Sequence, residues 1–129
     1  MRLARCFAAA VVALSVLGGC ASDPVKDVKR IFQREGKPQL EAGIKQYEEA
    51  RYKEASASFE NAINLGLSNA DQVTAHKYLA FIHCVQKRER QCRAHFSSAF
   101  ELDPSFELAP AEAGHPVWGP VFRSVKAKR

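Results

Sequence analysis

Four histidines, four cysteines and a few well-placed acids are the groups that could do chemistry in this 129-residue chain. His76 and His83 are seven apart and would share one helix face. With His95 and His115 they could offer imidazoles to a metal, but no neighbouring spacing completes a ligand set. They read instead as residues that fill positions between helices. Glu112 and His115 lie three apart around Gly114, a spacing open to an acid–base pair. No nucleophile, oxyanion donor set or phosphate loop accompanies them. His115 therefore reads as a residue that orders the turn at Pro116. The competing reading is a small enzyme or metal-binding protein built on His115 and Glu112. Trp118 is the aromatic best suited to anchor a partner; packing over the last helices is its other role. Asn61 and Asn64 could line a peptide groove or simply be solvated. No catalytic residue, metal ligand or cofactor is assigned, and no small-molecule substrate is implied.

The elements that would position these groups lie in residues 40–104. Ala55, Phe59, Ala62 and Ile63 fall at i, i+4, i+7 and i+8, and Cys92, Phe96, Ala99 and Phe100 repeat the spacing 37 residues later. Each set lies on one face of a helix, and a period of that size marks a stacked repeat protein. Pro38 suits the first turn of a helix whose inner face carries Leu40, Gly43, Ile44 and Tyr47. A turn is expected near Ala50-Arg51, with a second helix running to about Leu65 and stopping at Gly66. Ser68 and Asp71 give a capping-box-like start to a third helix, which carries Val73, Leu79, Ala80 and His83. The fourth helix ends at Asp103-Pro104. Prolines 110, 116 and 120 forbid a long regular helix beyond it. A short final helix from about Val117 or Pro120 to Ser124 would bury Trp118, Val121 and Phe122. The last seven residues carry four positive charges and no acid. They read as a solvated, frayed tail, or as a contact for anionic headgroups or an acidic partner.

The N-terminus has a different composition. Arg2 and Arg5 precede a mostly apolar run over residues 7–17, too short to span a bilayer, which needs about 20 apolar residues. Leu17-Gly18-Gly19-Cys20 resembles a bacterial lipobox, which implies cleavage before Cys20 and lipid attachment to it. Removing residues 1–19 leaves 110 of the 129, and the net charge falls from +5 to +3 as Arg2 and Arg5 leave. That charge is too small, and too dispersed among few aromatics, to argue for nucleic acid. Val25, Val28, Ile31 and Phe32 recur at near-helical spacing, as in a short amphipathic segment that packs on the domain or lies near the membrane. With Cys6 lost and Cys20 acylated, Cys84 and Cys92 remain, and an exported chain should pair them. Residues eight apart on one helix are separated by about 12 Å, too far for a disulfide. The pair closes only if the chain turns within residues 86–90.

Two family resemblances emerge. Tyr52-Lys53-Glu54-Ala55, Phe59 and Ala62 resemble the second half of a tetratricopeptide repeat. Cys92, Phe96, Ala99 and Pro104 repeat it, with Gly43 and Ala80 at the small position of each first helix. The period of 37 exceeds the family's 34, which places about three extra residues within 66–71. Leu67 stands where proline is common. The resemblance implies an all-α fold of two degenerate TPR-like hairpins. The chain as a whole, notably Cys84, Cys92 and Glu112-x-Gly114-His115-Pro116-x-Trp118-Gly119-Pro120, resembles small TPR-like lipoproteins associated with bacterial type VI secretion. That resemblance implies a non-enzymatic adaptor with protein partners in a secretion apparatus. Ala21 after Cys20, rather than Asp, implies the outer membrane, with the domain facing the periplasm. A pilotin-like or outer-membrane assembly lipoprotein is the alternative. The expected organisation is a signal peptide at 1–19, a lipid-anchored tether with its amphipathic segment at 20–37, the repeat domain at 38–104, and a cap with basic tail at 105–129.

Overall fold

The computed structural model describes residues 35–129 together with Val25, Lys26 and Val28. The signal segment, Cys20, Ile31 and Phe32 lie outside the described residues. From Lys37 onward the described residues form six helices in order: α1 (Lys37–Glu48), α2 (Tyr52–Leu65), α3 (Asn69–Val85), α4 (Glu89–Leu102), α5 (Pro110–Ala113) and α6 (Trp118–Lys126). Among the described residues there is no strand, and no described helix is long and apolar enough to cross a membrane. The chain is all-α, built of antiparallel TPR-like hairpins. Helix α1 pairs with α2 and α3 with α4; α2 and α3 join the hairpins, and α6 packs on α4 and α3. The expected cap is therefore present, and its helix reaches two residues beyond Ser124.

The 37-residue repeat extends to the backbone of the turns. Ala50 and Lys87 both adopt the left-handed conformation, with φ of 57° and 60°. Arg51 N–H donates to the Gln46 carbonyl and Arg88 N–H to the His83 carbonyl, both at 2.8 Å. The same number of residues in each turn thus satisfies equivalent orphan groups at the helix ends. The turn of the second hairpin falls early in the polar run, before Glu89.

The apolar stripes are buried as their spacing requires. Ala55, Phe59 and Ala62 and their counterparts Cys92, Phe96 and Ala99 are all fully buried. Ile63 departs from this pattern and is only half-buried. Its counterpart Phe100 packs on Phe106 and Phe122 of the C-terminal cap, whereas residue 69, the counterpart of Phe106, is an asparagine that opens α3.

Gly43 sits where α1 crosses α2, and a Cβ there would lie 2.7 Å from the ring of Phe59. Phe59 is buried and cannot yield freely. Gly43→Ala is therefore expected to destabilise the chain by about 1–2 kcal/mol, because the overpacking penalty exceeds the roughly 1 kcal/mol gained in helix propensity. A lower urea midpoint at unchanged m value would show it.

The joint between hairpins is tighter than a simple insertion. Only residues 66–68 separate α2 from α3, and α3 has 17 residues against 14 in α2 and α4. The extra length is thus taken up in the first turn of α3 rather than in a loop. Gly66 supplies φ of 101°, which only glycine adopts readily. Leu67 is buried in the first core, which explains an apolar residue in place of a proline. Ser68 caps α3 by accepting from the Asp71 N–H. Lys37 Nζ donates to Asp71 Oδ1 at 2.8 Å, tying the start of α1 to the start of α3. That bond is the main cause holding the Asp71 carboxyl below its ordinary pKa. Gly36 N–H donates to the Gly66 carbonyl at 3.1 Å.

Val25 and Val28 are exposed, at 73% and 51%, and the other two residues of that amphipathic segment, Ile31 and Phe32, lie outside the described residues. One sequence expectation needs correction: the C-terminal residues do not form a frayed tail. Lys126 ends α6 and pairs with Glu107, while the Arg129 guanidinium lies 4.5 Å from the Phe100 ring centroid and donates to the Pro104 carbonyl. Cations near a helix C-terminus are favourably placed, and the neighbouring ring and carbonyl give this one further contacts.

Candidate partner-binding surface

Cys84 ends the buried face of α3 and Cys92 begins that of α4. The intervening turn brings their Cα atoms to 5.1 Å, and a disulfide joins them. Cys92 replaces the small residue that Ala55 supplies in the first hairpin, and Cys84 stands opposite it where the first hairpin has Tyr47. The staple thus occupies the turn end of the second hairpin.

The cap is held to α3 by the residues whose chemistry stood out in the sequence. Trp118 is only 8% exposed. Its indole stacks on Phe81 with ring centroids 4.2 Å apart, and its N–H donates to the Glu112 carbonyl at 2.9 Å. A free aromatic anchor is excluded: Trp118 fills a gap over α3. The His115 ring stacks on Trp118 in turn, and His115 Nδ1 accepts from the Val117 N–H at 3.2 Å. His115 orders the turn, as expected.

Glu112 is equally committed. Oε1 accepts from Lys77 Nζ at 2.7 Å, and Oε2 accepts from the Ala109 N–H at 3.0 Å. The carboxylate therefore closes the first turn of α5 and pins it to α3. A carboxylate with both oxygens engaged this way is badly placed to shuttle protons with His115.

Beside this contact runs a row of rings that the sequence did not announce. Tyr52 meets Tyr47 at 5.5 Å, Tyr47 meets Tyr78 at 4.9 Å, and Tyr78 meets Phe81 at 6.0 Å. From Phe81 the row continues to Trp118 and His115. The three tyrosines are half-buried, and none of their hydroxyls has a hydrogen-bond partner among the described residues. Burial, then the neighbouring tyrosines and Glu112, push the Tyr47 phenol up to about 12. It stays a neutral donor at any ordinary pH. Flat, half-buried rings with unpartnered hydroxyls suit recognition of a polypeptide, while the Lys77 ammonium, 4.9 Å from the Tyr78 ring centroid, is held by Glu112.

Asn61 and Asn64 are exposed on α2, which packs on α1 and α3 but not on α5 or α6. They are not brought to the ring row. The signal for that row was partial. Tyr47 and Tyr52 flank a tight hairpin turn and must meet if the hairpin forms. Tyr78 joins them only through the stacking of α3 on α1.

The histidines also separate. His76, His83 and His95 converge between α3 and α4, while His115 lies on the cap. Among the described residues, no group of three or more His, Cys, Asp or Glu is arranged to hold a metal. A cavity of about 380 Å³ between α4 and α6 is lined by Arg93, Phe100, Glu101 and Arg129 among others. Arg93 is already engaged by Glu89 and Ser124. No family model matches the chain, and no solved structure matches it.

Proposed function

We propose that the chain is an outer-membrane lipoprotein anchored through Cys20 whose helical domain acts as a protein–protein adaptor, serving a type VI secretion apparatus as an accessory part. The observation that supports the adaptor role is the half-buried row Tyr52, Tyr47, Tyr78, which links the two hairpins and whose hydroxyls have no hydrogen-bond partner among the described residues. The anchor rests on Leu17-Gly18-Gly19-Cys20, and the secretion context on the resemblance carried by residues 112–120. Tethering raises the effective concentration of that face at the membrane, so a modest contact suffices.

Crosslinking and pull-down from intact envelopes tests the reading, with Cys20→Ser as control. Secretion components are expected with the native chain and are lost when the anchor is removed. Recovery of none from the native chain would overturn the secretion assignment. The tyrosine face has its own test. Replacing Tyr47, Tyr52 and Tyr78 together by Phe removes three hydroxyls and little apolar area. Three hydrogen bonds worth roughly 0.5–1.5 kcal/mol each predict partner capture weakened about tenfold or more. The unfolding free energy should stay within about 0.5 kcal/mol of the native chain's, as for surface changes.

A further inference from the structure

The internal repeat supplies its own control for one pair of positions. In the first hairpin Ser58 Oγ donates to Gln46 Oε1 at 2.8 Å, across α1 and α2. The same positions 37 residues on are His83 and His95, whose rings stack 5.2 Å apart and 3° from parallel. His95 also meets His76, with 3.0 Å between the two Nδ1 atoms. A neutral amide–hydroxyl pair in one hairpin is thus a row of three titratable rings in the other.

The row is poorly built to hold charge. The Nδ1–Nδ1 contact needs one nitrogen bare, so it tolerates at most one protonated ring. His83 Nδ1 is buried without a hydrogen-bond partner among the described residues. The charged groups facing the row are few. Glu101 of α4 acts on His76, while Glu60 of α2 and Arg88 of the turn act on His83. Among the described residues, the ionisable groups acting on His95 are the other two imidazoles. Burial is the main cause that lowers all three pKa values, and His95 is carried down to about 4.

We propose that the His76–His95–His83 row makes the second hairpin an acid-triggered element: on acidification α4 parts from α3 at the end away from Cys84–Cys92, while the disulfide keeps the turn closed. Phe96 and Phe100 of α4 hold Phe122 of α6, so the parting also loosens the cap. Opening returns the rings to water and to ordinary imidazole behaviour. The open form therefore binds more protons at pH values between about 6.5 and the lowered pKa values of the closed form. The closed form has its full stability above pH 6.5 and loses it as the pH falls through that window.

Amide hydrogen exchange on the full chain in detergent, from pH 7.5 to 5 and corrected for intrinsic rates, tests this. The opening constant for the second half of α4 and for α6 should rise as the pH falls below 6.5, approaching about tenfold per pH unit for each proton taken up. Amides of α1 and α2 should show no such rise. The His83→Gln/His95→Ser variant writes the first hairpin's pair into the second and should flatten the dependence. If that variant does not fold, His95→Gln removes the central ring alone and should reduce the slope. A native α4 whose protection does not change with pH, or a folded variant with the native slope, would overturn the proposal.

Discussion

Trp118→Ala is expected to lower the unfolding free energy by about 3–5 kcal/mol, the range for truncating a large buried aromatic. The indole covers Phe81, carries the stacked His115 and satisfies the Glu112 carbonyl. Truncation empties that space and removes one of the hydrogen bonds that the Glu112 carbonyl accepts, leaving the one from the His115 N–H. Trp118→Phe should recover much of the loss, because the stack on Phe81 survives and only the N–H bond goes. Urea denaturation followed by far-ultraviolet circular dichroism measures both, since Trp118 is the chain's only tryptophan and fluorescence would vanish with it. An exposed binding anchor would behave in the opposite way, with capture lost and stability unmoved.

Removing the disulfide should have the next largest effect. With cysteines eight residues apart, the loop-entropy relation gives about 2.5 kcal/mol for the native cross-link. Alanine is the right replacement at both positions. Ala55 already fills the position equivalent to Cys92 and is fully buried, whereas serine would bury a hydroxyl with no assigned partner. Cys84→Ala/Cys92→Ala is thus expected to melt roughly 10–20 °C below the oxidised native chain, given about 4–8 °C per kcal/mol for a domain of this size. Native protein treated with reductant should fall by a similar amount, and reductant should not alter the double variant's melting. A melting temperature unchanged by reductant would mean that the cross-link contributes nothing to stability.

The local chemistry of the repeats was legible in the sequence. Gly43 and Gly66 were readable because a close crossing and a left-handed stop each require glycine. Ser68 was readable because its hydroxyl caps a helix that starts at the next residue. The Cys84–Cys92 pairing was expected because an exported chain would leave just these two thiols, and it required a turn between them. What could not be read depends on which surfaces meet at a distance. The row from Tyr52 to Trp118 draws on α1, α2, α3 and the cap, which no periodicity aligns. His95 was not singled out with His76 because their closeness depends on how α3 and α4 face each other. The basic C-terminus is exposed as expected, but it looked frayed because nothing local shows that Phe100 and the Pro104 carbonyl await Arg129. The three residues beyond the usual period were placed correctly by number, yet they extend α3 instead of loosening the joint.

The bond from Gly36 N–H to the Gly66 carbonyl gives the domain a direction. It fixes where the preceding chain departs, at the joint between hairpins. Both tight turns lie at the other end of the antiparallel helices, which for 14 residues are about 21 Å long. With the proposed anchor upstream, the joint is the moored end. The disulfide and the meeting point of Tyr47 with Tyr52 then stand at the opposite end from the point where the chain enters the domain. A side chain at Gly36 would collide with the Ala62 and Gly66 carbonyls, so changing this one residue would unseat the mooring while leaving the tyrosine face intact.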